Sequence, residues 1–216
     1  MRNCKGVMLL PPDSESYRRH VAQHTSLARM NKGESIPDAR ATFTQGIEAR
    51  VREALHRVLS PTEYRVLRWE EKTPSNHWIA RYRELDGVFE TPERTTVILE
   101  VKASTSKSSL AKGLQQLQTA TGMLRIPRPA TLGLLVVADT GAFLEGFGEP
   151  AADSLYEHFA SKGLPTLNWP VQIPAGAKEG MFVCMVPKDT LSSWIDEIEA
   201  SLIANANMNE RDLEIA

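Results

Sequence analysis

The sequence predicts an α/β protein in which a mixed β-sheet of about five strands is sandwiched by helices. Three observations lead to this. Residues 45–59 repeat apolar side chains at helical spacing, residues 64–103 hold three strand-like segments broken by turns, and a second helical pattern at 106–125 runs into a short apolar stretch, Leu132 to Ala138.

Residues 1–40 are rich in Ser, Arg, His, Pro and Asn without a sustained apolar period. They are expected to form an N-terminal extension, partly helical or flexible, with one short helix over Tyr17 to Met30. Thr44 is the expected N-cap of the first strong helix, Gln45 to Leu59, whose Ile47, Val51, Ala54 and Val58 share a face. Ser60-Pro61 stops it. Tyr64 to Trp69, His77 to Phe89 and Thr95 to Ala103 then read as an antiparallel meander, separated by Lys72-Thr73-Pro74-Ser75-Asn76 and Thr91-Pro92-Glu93-Arg94.

The second helix, Ser106 to Arg125, aligns Leu110, Leu114, Leu117, Thr121 and Leu124, and Pro127 and Pro129 close it. Leu132 to Ala138 is short, continuous and apolar, which suits a central strand covered on both faces. A helix over Ala151 to Lys162, a connection through Pro165, Pro170 and Pro174, a strand over Met181 to Val186 and a helix from Thr190 to about Ala204 follow, the last capped by Asp189 or Thr190. One domain is thus expected over residues 41–204. The polar, acidic residues 205–216 are expected to fray as a tail or to serve as a contact arm.

Composition excludes more than it identifies. A chain of 216 residues with 42% hydrophobic and 24% charged residues suits one soluble core and argues against disorder or a heptad rod. Cys4 and Cys184 are too few for a disulfide framework or a thiolate zinc site, so a reducing, cytoplasmic setting is expected. No secretory leader or membrane span is expected. The net charge of −2 conceals a division: residues 1–83 carry 15 Lys+Arg against 9 Asp+Glu (+6), and residues 84–216 carry 10 against 18 (−8). Because phosphate backbones respond to local basic patches, the total does not exclude a nucleic-acid partner.

The chemistry-bearing stretch is Arg83-Glu84-Leu85-Asp86-Gly87-Val88-Phe89, followed by Val97-Ile98-Leu99-Glu100-Val101-Lys102-Ala103. Strand periodicity sends Glu100 and Lys102 to one face and Leu99 and Val101 to the other. A carboxylate and an ammonium on a strand this apolar cost several kcal/mol, of order, unless a cation or a partner compensates. In-register pairing would bring Asp86 towards Glu100. Two such carboxylates form an all-oxygen site suited to Mg²⁺, with Mn²⁺ as a substitute, and Lys102 would orient or help to deprotonate a water attacking a phosphodiester.

Asp86, thirteen intervening residues and then Glu100-Val101-Lys102 resemble the motif of the PD-(D/E)xK nuclease superfamily. The resemblance spans about Phe43 to Ala138. It implies a restriction-endonuclease-like α-β-β-β-α-β core and metal-dependent hydrolysis of nucleic acid, DNA ahead of RNA, with Asp86 and Glu100 as metal ligands and Lys102 as a catalytic residue. Gly46-Ile47-Glu48 resembles the family's helical Glu, which implies a third ligand; with Ile47 at zero on the helical wheel, Glu48 falls at the rim of the apolar face and Glu53 on the far side. Among Gln115, Gln116 and Gln118, Gln116-Leu117 matches the family's glutamine best, although Ala120 stands where an aromatic is common. Partners expected on this basis are nucleic acid and a second protein or a second copy, as in a defence, restriction or transposition system. The alternative is a catalytically latent nuclease-fold module that binds or assembles with a partner.

Other candidates have ordinary readings. His20 and His24 have helical zinc spacing but no third ligand in view. Gly141 to Gly148 lacks the spacing of a phosphate loop and reads as a turn. Trp69, Trp78, Trp169 and Trp194 read as core or interface anchors.

Overall fold

The computed structural model describes residues 4–32, 39–103, 106–139 and 152–214. The α/β class follows from two sheets flanked by helices. The larger sheet has six strands in the order β2 (Ser60–Pro61), β5 (Gly87–Glu90), β6 (Thr96–Lys102), β7 (Thr131–Val137), β9 (Glu179–Met185) and β8 (Thr166–Leu167). It is mixed: β2 and β6 run antiparallel to β5, whereas β6, β7, β9 and β8 pair in parallel. The smaller sheet is antiparallel, with β3 (Val66–Lys72) between β1 (Cys4–Leu10) and β4 (Trp78–Glu84).

All seven residues of β7 are buried, as a strand covered on both faces requires. Leu132, Leu134 and Val136 enter one core, and Leu135 and Val137 enter the other. The first core holds α2 (Ala39–His56) and α5 (Lys188–Glu214) through Ile47, Val51, Leu55, Leu191 and Ile195. The second holds α3 (Lys107–Leu124) and α4 (Ala152–Ser161) through Leu110, Leu117, Leu124 and Phe159. Each such burial contributes about 1.5–3 kcal/mol, so the packing of both layers against β6 and β7 fixes where the polar residues of those strands emerge. Helix α2 is held close to α5: a Cβ on Gly46 would lie 2.9 Å from Ile198 Cδ1, and Arg50 Nη2 lies 2.7 Å from Glu197 Oε2.

Several sequence expectations are corrected. The expected meander is divided between sheets, because His77 to Phe89 is two strands, β4 in the small sheet and β5 in the large one. Residues 4–10, expected within an irregular extension, form β1; a register shift between Lys5 and Met8, with Gly6 at φ 60°, interrupts the alternation that would have marked it as a strand. The helix α1 (Glu15–Lys32) covers the expected Tyr17 to Met30. Thr44 is not an N-cap, since α2 begins at Ala39, and Ala39-Arg40-Ala41 favour helix strongly. Ser106 caps α3, accepting from the Ser109 N–H at 3.3 Å. At the C-terminus α5 begins at Lys188 and runs to Glu214, because no Gly or Pro follows Pro187 to stop it. Gly141 to Gly148 lie outside the described residues. Among the described residues no helix is long and apolar enough to cross a membrane.

Candidate active site

Asp86 stands where one run of chain changes sheets. The Leu85 N–H donates to the Arg65 carbonyl at 2.9 Å as the last rung towards β3, and Gly87 opens the ladder with Leu99 of β6. Continued by one step, that register would set Asp86 opposite Glu100. Instead the ladder ends, and the Asp86 carboxylate takes the free donor: Oδ2 accepts the Val101 N–H at 2.6 Å. The phase of the strand is reset here. Leu85 and Val88, three apart, enter the same core, whereas a regular strand would send them to opposite faces. Arg52 of α2 donates Nη1 to the Asp86 carbonyl at 3.0 Å, so both the backbone and the side chain of Asp86 are held.

Glu100 and Lys102 share a strand face, as their spacing predicts, and that face is the α3 side, together with Ile98. Glu100 is only 3% exposed. Lys102 Nζ donates to its Oε1 at 2.6 Å, and Arg83 Nη2 of β4 donates to its Oε2 at 2.7 Å. Arg83 Nη1 also donates to the Gln116 carbonyl of α3 at 2.8 Å. Arg83 is therefore the compensating cation that a carboxylate on so apolar a strand requires. It ties the small sheet, β6 and α3 into one charge-assisted network. The Lys102 stem packs over Gly113 of α3, against a backbone without a side chain.

Glu48 approaches on α2. It is half-buried, and its carboxylate has no hydrogen-bond or ion-pair partner among the described residues. Burial first, then the Asp86 carboxylate, pushes its carboxyl above the ordinary glutamic acid range; Arg52 and Lys102 oppose this, and Glu100 adds a smaller push. Burial and then Glu100 raise Asp86 in the same direction, against the Val101 hydrogen bond and the charges of Lys102 and Arg83. Three carboxylates thus sense one another across the site, and Arg52, Arg83 and Lys102 counter them.

A cleft of about 390 Å³ opens onto part of this arrangement, lined by Gln45, Glu48, Arg52, Arg65, Glu84, Leu85 and Asp86. Glu100 and Lys102 do not line it. Among the described residues no three His, Cys, Asp or Glu side chains close around a common point as a finished metal cage. The donors nevertheless suit a hard divalent ion. Mg²⁺ takes one or two carboxylates and completes its shell with water and phosphate. Glu48 and Asp86 provide two partly desolvated carboxylates whose mutual repulsion a cation would relieve. Glu100, with both oxygens engaged, is the least available of the three expected ligands.

Gln116 is half-buried, whereas Gln115 and Gln118 are exposed. Its carbonyl serves Arg83, and its buried Oε1 has no hydrogen-bond partner. Sequence reasoning passed over three residues of this site. Arg52 stands four residues after Glu48, on the same helical face. Gly113 interrupts a helix at a cost of about 1 kcal/mol, which is itself a sign of close packing. Arg83 carried no signal beyond its charge.

The other candidates fall elsewhere. The His20 and His24 rings lie 4.3 Å apart, and His20 also packs on Tyr82 at 4.7 Å. Trp169 and Trp194 meet edge to face at 5.7 Å. Cys184 is buried, and desolvation pushes its thiol up to about 12, far from nucleophilic use.

No protein-family model, curated protein or solved structure matches this chain.

Proposed function

We propose that this protein is a metal-dependent phosphodiesterase of nucleic acid, with DNA as the first substrate to test and RNA as the second. The observation behind this reading is the gathering of Glu48, Asp86, Glu100 and Lys102 around a strand that changes sheets, beside an open polar cleft. The candidate metal donors are Asp86 and Glu48, with Glu100 as a third once its ion pairs yield. A bound Mg²⁺ or Mn²⁺ would supply charge stabilisation at phosphate oxygens and an acidified water. The chain's own residues do the rest. Asp86 is oriented at both ends by Val101 and Arg52. Arg52 and Arg65, on the cleft wall, attract the phosphodiester. Lys102, once released from Glu100, orients the attacking water and offsets the negative charge that builds on the phosphorus oxygens. Gln116 keeps a buried Oε1 without a hydrogen-bond partner, an acceptor available to a water at the site. A cytoplasmic setting suits the free thiols of Cys4 and Cys184.

A second reading has its own support. Glu100 is fully engaged by Arg83 and Lys102 in the free chain, which suits a latent module opened by a partner protein or a second copy. One experiment separates the two: Mg²⁺ and Mn²⁺ titrations against plasmid, linear duplex, single-stranded DNA and RNA, with Asp86→Asn and Lys102→Ala as controls. Metal-dependent cleavage lost in both variants is the expected result. Full activity in either variant would falsify the assignment, and stable binding without cleavage of any substrate favours the latent module.

A further inference from the structure

A second cleft, about 450 Å³, adjoins the acidic one, and the two share Arg52 and Arg65 as common wall residues. Their chemistry differs. The first presents Glu48, Glu84 and Asp86; the second is walled by Pro12, Pro61 and His56 over the buried Val88 and Phe89, with Thr62 and Glu63 as its other polar members. Its volume falls within the ~300–1,000 Å³ usual for small-ligand sites. His56, the last residue of α2, is exposed, and its ring meets that of Phe89 at 67° with centroids 5.6 Å apart.

We propose that this second cleft is a nucleoside subsite, which takes the base and sugar adjoining the phosphate held between Arg52 and Arg65. The proposal rests on the phosphodiesterase reading of the neighbouring cleft. Charge complementarity selects the occupant. A nucleotide is apolar and planar at one end and anionic at the other, and the groove has that same polarity, from a slot walled by Pro12, Pro61 and the exposed His56 ring to the guanidinium groups of Arg52 and Arg65. Arg52 uses Nη1 on the Asp86 carbonyl, and Arg65 Nη1 lies 2.7 Å from Glu84 Oε1, so each is anchored at one nitrogen with further donors on its guanidinium. The His56 imidazole supplies a stacking face, and the Thr62 hydroxyl and the Glu63 carboxylate supply hydrogen-bonding groups for a base edge.

The test is a titration of the full chain, in Mg²⁺, with deoxyadenosine 5′-monophosphate and separately with inorganic phosphate, each followed by NMR shifts. The nucleotide is a monoester, which a phosphodiesterase leaves intact. It is expected to bind about tenfold more tightly than phosphate, and His56→Ala should remove most of that advantage without altering phosphate affinity; His56→Phe should retain it. Equal affinity for the two probes overturns the subsite, as does a His56→Ala variant that weakens both alike or neither. The two readings fail separately. A Lys102-dependent nuclease whose nucleotide affinity ignores His56 overturns the subsite alone. A chain that cuts nothing, yet binds the nucleotide through His56, upholds the subsite and overturns the nuclease.

Discussion

Lys102 occupies the space that any side chain at position 113 would need: a Cβ on Gly113 would lie 2.8 Å from Lys102 Cε and 3.0 Å from its Cγ. Both contacts are closer than van der Waals packing permits, and one is near the root of the side chain. The lysine cannot escape by moving its tip alone. Gly113→Ala therefore sets two effects against each other, a helix-propensity gain of about 1 kcal/mol and the displacement of Lys102 from Glu100. Catalysis should fall about tenfold or more while the melting temperature stays near its starting value. Steady-state cleavage beside thermal unfolding checks this, and a variant that is both more stable and fully active would show that the contact has no functional weight.

Arg83 neutralises Glu100 at a position almost sealed from water. Arg83→Met leaves a buried carboxylate paired only with Lys102, and loss of one partner in such a network costs about 3–5 kcal/mol. Replacing Glu100 as well, in Arg83→Met/Glu100→Leu, should restore part of that loss, because the orphaned charge is gone. Urea unfolding of the single and double variants measures the coupling; strictly additive losses would contradict the network.

Glu48 and Asp86 make stability depend on pH in the direction opposite to a salt-bridged carboxylate. Their folded-state pKa values lie above the unfolded value of about 4, because burial and neighbouring carboxylates disfavour the charged form in the folded chain. As pH falls through the raised folded value the native state takes up protons before the unfolded one does. The penalty shrinks and is gone below the unfolded value. Glu48→Gln should therefore stabilise the protein most near neutral pH, with an advantage that fades towards pH 4. Mg²⁺ should reduce the same advantage by stabilising the parent chain more than the variant, which lacks one donor. Thermal melts across this range, with and without Mg²⁺, supply the measurement, and an advantage that grows on acidification would refute the sign.

Elements that bury a face in one uninterrupted period were legible in the sequence. The run at Leu132 to Ala138 and the leucine stripe of α3 could be read because their partners cover them evenly. Glu100 and Lys102 were legible as a pair because a period of two admits no other arrangement. What escaped depends on distant partners. β1 is a strand because β3, some sixty residues on, offers it an edge, and its own register shift blurs the pattern. The change of sheets at Asp86 was hidden because strand propensity continues through it, and only packing decides which neighbour each half joins. The limits of α2 and α5 differ from those the sequence predicts for a simpler reason: Thr44 is a permitted cap that the helix does not need, and polarity alone does not end a helix.

The phase reset between Leu85 and Val88 works as a two-residue spacer. On its upstream side Arg83 and Leu85 point to α3; on its downstream side Val88 joins them and Phe89 crosses to the α2 core. Removing one residue at Asp86-Gly87 would exchange the burial of Val88 and Phe89 as well as deleting part of the site. The length of this junction is thus fixed twice, by the two cores and by the carboxylate between them. The placement of the Asp86 carboxylate and the folding of β5 cannot vary independently.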